Sequence, residues 1–237
     1  MSTIRQALRK SRGGDIDFRT ELAAMDGVEL FPPARGRQRE EFAQLANMML
    51  EFKSPSRGAS IVFASSVSGE GASFVSYQTA RELAFTLDRR VFWIDANPYS
   101  PQRKLMARSQ VTFQELLQDP EIAKEPAATR LQMIPAGMES DGWQGLVASD
   151  NYIRLLEILQ DSYDFTFIDA PPILQHVETS LLGAGADGLV LVVERGRLKW
   201  EVIQAGLENL ANRRVNVLGT VFNRRRFDLP KFLYDRI

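Results

Sequence analysis

Three short stretches of this chain carry side chains whose type and spacing could do chemistry. The first is the loop Ser65-Ser66-Val67-Ser68-Gly69-Glu70-Gly71-Ala72-Ser73, which follows the apolar run Ile61-Val62-Phe63-Ala64. Gly69 and Gly71 permit backbone turns that aim several N–H groups at one phosphate, and a helix starting near Ser73 would add positive potential there. The Ser73 hydroxyl is placed to meet Mg²⁺. The second and third are Asp95, closing Val91-Phe92-Trp93-Ile94, and Asp169, closing Phe165-Thr166-Phe167-Ile168. A carboxylate at the end of an apolar strand beside such a loop is suited to holding the metal that accompanies phosphates. One part is missing. Ala72 stands where the lysine that grips the β- and γ-phosphates belongs.

These residues need elements to position them. Apolar, β-rich runs at 61–66, 91–95, 131–135, 165–169, 188–193 and 217–222 are unbroken by charge, as strands covered on both faces should be. Helical patterns lie between them near 73–87, 151–161, 178–185 and 199–213. This alternation predicts an α/β fold, a doubly wound and mostly parallel sheet with helices on both faces. Ligands of such sheets sit beyond the carboxyl ends of the strands, where the loop and both aspartates fall. An amphipathic helix is expected over 39–52, with Phe42, Leu45, Met49 and Phe52 on its apolar face and a linker at 53–58 behind it. The expected organisation is an N-terminal extension over 1–38, a domain over 39–226 and a tail over 227–237.

Bulk composition narrows the function classes. The chain has 237 residues, 44% hydrophobic and 25% charged, as in an ordinary globular protein. A net charge of −1 gives no global field toward nucleic acid or anionic membrane, so no nucleic-acid partner is expected. There is no cysteine, which excludes thiolate chemistry, and the single histidine, His176, argues against a histidine-built metal site. No apolar run approaches the roughly 20 residues of a membrane span and the first residues lack an apolar signal core. The expected location is cytoplasmic, with any membrane contact made peripherally through a partner.

Taken as a set, the motifs have a familiar form. The SGEG-x-S loop, Val-Phe-Trp-Ile-Asp-Ala at 91–96 and Phe-Ile-Asp-Ala-Pro-Pro at 167–172 stand as Walker A, A′ and B. With them come Gln132-Met133-Ile134-Pro135-Ala136-Gly137, Ala186-Asp187-Gly188-Leu189-Val190-Leu191-Val192-Val193 and Leu218-Gly219-Thr220-Val221-Phe222-Asn223. Over 39–226 the chain resembles the cytoplasmic domain of bacterial tyrosine kinases of the capsular and exopolysaccharide type, relatives of the partitioning ATPases. The resemblance implies ATP or ADP with Mg²⁺ as ligands. It assigns nucleotide binding to Ser68, Gly69, Glu70, Gly71, Ala72 and Ser73, and metal binding to Ser73, Asp95 and Asp169. It makes Asp95 the residue that activates the attacking hydroxyl, and sets Asn223 near the adenine. It also implies a membrane polysaccharide co-polymerase or a kinase homologue as partner.

The chain departs from that pattern in one direction. Besides Ala72, Asn97 replaces the second acid of the usual Asp-x-Asp, and Tyr99 stands where an arginine commonly follows. The helix motif Glu-x-x-Arg-x-x-Arg, by which subunits of the family form a ring, reads Glu41, Gln44, Asn47, so a homo-oligomer built that way lacks both arginines. The tyrosine-rich tail of the family is reduced to Tyr234. A lost charge-assisted hydrogen bond of roughly 1.5–3 kcal/mol weakens nucleotide binding by roughly 10- to 100-fold or more. The expectation is a degenerate kinase-like protein, a regulator or scaffold of exopolysaccharide or capsule assembly with weak or no nucleotide binding. Two alternatives stand beside it. One is an active autokinase whose site is rearranged around a substitute cation such as Arg103 or Lys104. The other is a partitioning-type ATPase, against which stand Ala72 and the absence of an early loop lysine at Ser66-Val67-Ser68. Arg224-Arg225-Arg226, followed by Phe227, Leu229, Phe232 and Leu233, is read either as a docking segment or as a tail packed on the domain.

Overall fold

The computed structural model describes residues 29–99, 111–124, 129–137 and 142–224. In chain order the elements are α1 (Arg37–Met49), β1 (Ala59–Ser65), α2 (Ala72–Arg81), β2 (Val91–Asp95), α3 (Phe113–Gln118), β3 (Leu131–Ile134), α4 (Trp143–Val147), α5 (Asp150–Ser162), β4 (Phe165–Asp169), α6 (Glu178–Gly185), β5 (Gly188–Glu194), α7 (Trp200–Asn212) and β6 (Val217–Asn223). The six strands form one all-parallel sheet in the order β3-β2-β4-β1-β5-β6.

Successive strand residues point to opposite faces, and both faces are apolar. Ile61, Phe63, Trp93, Phe165 and Phe167 face one cluster, which α1, α2 and the turn after α2 cover with Phe42, Ala46, Met49, Val75, Tyr77 and Leu83. Val62, Ala64, Phe92, Ile94 and Ile168 face the other, covered from α3, α5 and α6 by residues such as Phe113, Leu155 and Leu182. Each fully buried side chain of this size contributes about 1.5–3 kcal/mol, so the sheet's place between helix layers is strongly fixed.

Three local readings need correction. The 217–222 run is not covered on both faces: β6 is an edge strand with no fully buried residue, and Phe222 is 62% exposed. The helical pattern at 73–87 is interrupted, because α2 gives way to a wider π turn at Glu82–Thr86. The helix ending at Phe52 tightens to a 3₁₀ turn at Leu50–Phe52 and leaves Phe52 partly exposed. The 53–58 linker is pinned to the domain. Gly58 donates to the Gln160 carbonyl at 2.9 Å, and a Cβ at 58 would collide with the Tyr163 carbonyl. The short helices α3 and α4 were not anticipated. The signal for α3 is a capping box in which Thr112 Oγ1 accepts from the Glu115 N–H while the Glu115 carboxylate accepts from the Thr112 N–H.

The last part of the expected extension is docked. Leu30 is buried, its N–H donates to the Tyr77 hydroxyl, and Gln78 bonds reciprocally with the Ala34 N–H and the Pro32 carbonyl. Among the described residues no helix is long and apolar enough to cross a membrane.

Candidate functional site

The sheet brings the three sequence motifs to one end. In the β2–β4 register Asp95 stands directly opposite Asp169, and Asp169 in turn neighbours Phe63 of β1, two residues before that strand ends. Parallel strands of matched length thereby deliver two carboxylates and the loop to a common edge. After β4 the chain is stitched to β1 by bonds from Ala170 N to the Phe63 carbonyl and from Ile173 N to the Ser65 carbonyl. Pro171 and Pro172 lack N–H groups and fit where the chain leaves the sheet.

The loop keeps its shape through its own residues. Gly69 and Gly71 have φ of 87° and 95°, a region that disfavours any side chain. At Gly71 a Cβ would also strike the amide of Asn223. Glu70 is wholly buried. One carboxylate oxygen accepts from the Ser66 and Val67 N–H groups at 2.8 and 3.0 Å, and the other accepts from the Glu194 N–H at 3.1 Å. Its side chain therefore braces the loop from within and ties it to the end of β5. Asn223 acts from β6, donating to the Glu70 carbonyl at 2.8 Å. Arg197 acts from the turn after β5, donating to the Ser68 carbonyl at 2.6 Å while pairing with Glu194. Sequence reasoning did not anticipate the bracing by Glu70 and Arg197. The ties that join the loop to β5, from Glu70 to Glu194 and from Arg197 to Ser68, span more than 120 residues, and no local pattern announces them.

Ala72 opens α2 and is 7% exposed, packed into the apolar cluster on that face. Ser73 follows at the helix start, and Ser68, Gly69, Gly71, Ala72 and Ser73 border a cavity of about 220 Å³. Phe31, Asn97 and Arg224 also border it. Phe31 is held there edge-on against Phe74, with ring centroids 5.4 Å apart.

The electrostatics center on the acid pair. Asp169 is 1% exposed, and its carboxylate oxygens make no full hydrogen bond among the described residues, the Ser73 hydroxyl alone bearing on them. Burial first, and the charge of Asp95 second, push its pKa well above the usual carboxylate range; the Ser73 hydroxyl offsets part of this. Asp95 Oδ1 accepts from the Asn97 N–H at 3.0 Å, and Asn97 Oδ1 accepts from the Tyr99 N–H at 3.1 Å. Thus Asn97, at the second-acid position, serves a turn. Tyr99 stacks on His176 with ring centroids 4.1 Å apart. Among the described residues no cluster of three or more His, Cys, Asp or Glu side chains is placed to hold a metal. Two buried carboxylates and a hydroxyl still suit Mg²⁺, which takes one or two carboxylates and keeps several waters. A carboxylate short of internal donors is a fitting ligand for such an ion.

On α1, Glu41, Gln44 and Asn47 all face solvent; Glu41 pairs with Arg37, and Asn47 folds back onto the Ala43 carbonyl. Arg103, Lys104, Tyr234 and the stretch from Arg225 onward lie outside the described residues.

Comparison with known proteins fits this geometry. The chain is 26% identical to the tyrosine-protein kinase CpsD of Streptococcus agalactiae over 104 residues, 44% of this chain and 45% of that protein. It is 27% identical to the putative tyrosine-protein kinase EpsB of Ralstonia solanacearum over 172 residues, 69% of this chain and 22% of that protein. The chain is a relative of the bacterial tyrosine kinases. The aligned region spans less than half the length of these relatives. The kinase domain of the Escherichia coli tyrosine kinase ETK superposes with a TM-score of 0.71 at 20% identity, covering 97% of this chain and 89% of that one; at this identity it establishes the fold. No family model matches the chain.

Proposed function

We propose that this chain is a kinase-like P-loop protein that retains the frame of a Mg·nucleotide site, holds nucleotide weakly, and works as a regulator or scaffold in exopolysaccharide or capsule assembly. Its partner would be a membrane polysaccharide co-polymerase or a kinase homologue. The observation that carries this reading is Ala72, a buried methyl group at the start of α2, inside a loop whose glycines, bracing glutamate and neighbouring acid pair are all in place.

Each remaining residue keeps a definable task. The turns at Gly69 and Gly71 shape the loop and the start of α2 adds positive potential for phosphate oxygens. Ser73, Asp95 and Asp169 would hold magnesium, which when bound supplies positive charge for the phosphates. Asp169 must give up its proton to act as a ligand, because its pKa is raised. Asp95 is the residue that would accept a proton from an attacking hydroxyl. Phosphoryl transfer depends on positioning and charge stabilisation, so the loss of the lysine bears more heavily on turnover than on binding.

Calorimetric titration with Mg·ADP and Mg·ATP tests the reading. The native chain should bind weakly, and Ala72→Lys should bind about 10- to 100-fold more tightly. Micromolar affinity in the native chain, or phosphotyrosine formed from ATP, would instead favour an active kinase.

A further inference from the structure

We propose that Arg224 supplies the cation that the loop lacks at position 72, and that its guanidinium binds the phosphates of a nucleoside di- or triphosphate. The proposal rests on the reading that such phosphates occupy the loop.

The chain turns sharply where β6 ends. Arg224 has φ of 52°, a left-handed conformation that a non-glycine residue rarely adopts. The turn is held by the residue before it. Asn223 donates its side-chain amide to the Glu70 carbonyl at 2.8 Å and accepts the Arg224 N–H on Oδ1 at 2.9 Å. One asparagine thus fixes the loop's backbone and the arginine's backbone together. The result is that Arg224 borders the 220 Å³ cavity alongside Gly71, Ala72 and Ser73, the place the absent lysine would serve.

Its present partner does not hold it firmly. Arg224 Nη1 lies 3.1 Å from Glu194 Oε2, with the arginine side chain 58% exposed, and exposed pairs of this kind contribute little. Glu194 would not be stranded if Arg224 left, because Arg197 pairs with the same oxygen at 3.1 Å. A polyphosphate carries more charge than that shared carboxylate. The forked guanidinium can meet two phosphate oxygens at once, where lysine offers a point charge.

Calorimetry with Mg·ADP and with pyrophosphate, on the full chain, tests this. Arg224→Ala should weaken both about 10- to 100-fold, while Arg224→Lys should recover part of the loss. Adding Ala72→Lys to Arg224→Ala should restore binding. A merely structural role for Arg224 would leave that double variant as weak as the single one, and would overturn the proposal. Binding by Arg224→Ala equal to the native chain's would also overturn it while leaving the nucleotide reading intact. If the native chain binds neither probe at millimolar concentration and Ala72→Lys does, Arg224 does not compensate, and only the scaffold role stands.

Discussion

The two ends of the sheet treat their acids in opposite ways. At the amino end, Asp187 accepts four hydrogen bonds at 2.8 Å: from Arg57, from the Ser60 N–H and hydroxyl, and from the Gln160 amide. Nearby, Asp164 accepts from the Arg90 N–H at 2.9 Å and pairs with Lys53 at 3.5 Å. At the carboxyl end Asp169 is more deeply buried, yet its carboxylate makes no full hydrogen bond among the described residues, and it faces a second acid. A satisfied, partly buried acid is part of the framework. An unsatisfied one beside a like charge costs stability, and such costs gather where a ligand will supply the missing charge.

Substitutions at each end can break or sharpen this contrast. The largest effect is expected at the amino end. Asp187→Ala strands the donors of Ser60, Gln160 and Arg57, and should cost about 2–3 kcal/mol, lowering the midpoint of thermal unfolding by about 4–12 °C. An unchanged midpoint would remove the framework role. The opposite sign is expected at the carboxyl end. Asp169→Asn relieves burial of an ionisable acid and should raise the midpoint at neutral pH by about 2–4 °C, on the order of 1 kcal/mol. A fall of similar size would show that the carboxylate stabilises the fold. The same residue sets a pH trend. Between an ordinary aspartate pKa of about 3.9 and its raised folded value, native Asp169 keeps a proton that the unfolded chain releases. Its contribution to stability therefore falls as pH rises through that window, and Asp169→Asn should flatten the slope in urea titrations run at several pH values. The smallest effect belongs to Lys53→Met, since a partly exposed pair at 3.5 Å should contribute less than about 1 kcal/mol.

Much of this was legible in local sequence. Strand runs, the helical patterns between them and the acids that close two strands depend on periodicity over a few residues, and the observed strands β2 and β4 match their expected bounds. The six-residue α3 was missed because its length shows little periodicity, although its Thr112-x-x-Glu115 box was present. The coverage of β6 was overestimated because an apolar run does not reveal whether a strand lies at an edge.

The sequence by itself determined which groups end the strands and that the position before Ser73 carries no charge. Only the tertiary structure decided which groups meet. Strand order set β2 beside β4 and so Asp95 opposite Asp169. It also brought Asn223 to a loop carbonyl 153 residues away, Arg197 to another 129 residues away, and Arg224 to the cavity left beside Ala72. Side-chain type and backbone period are properties of neighbouring residues. The company a buried charge keeps is set by how distant strands pack, which no stretch of chain records alone.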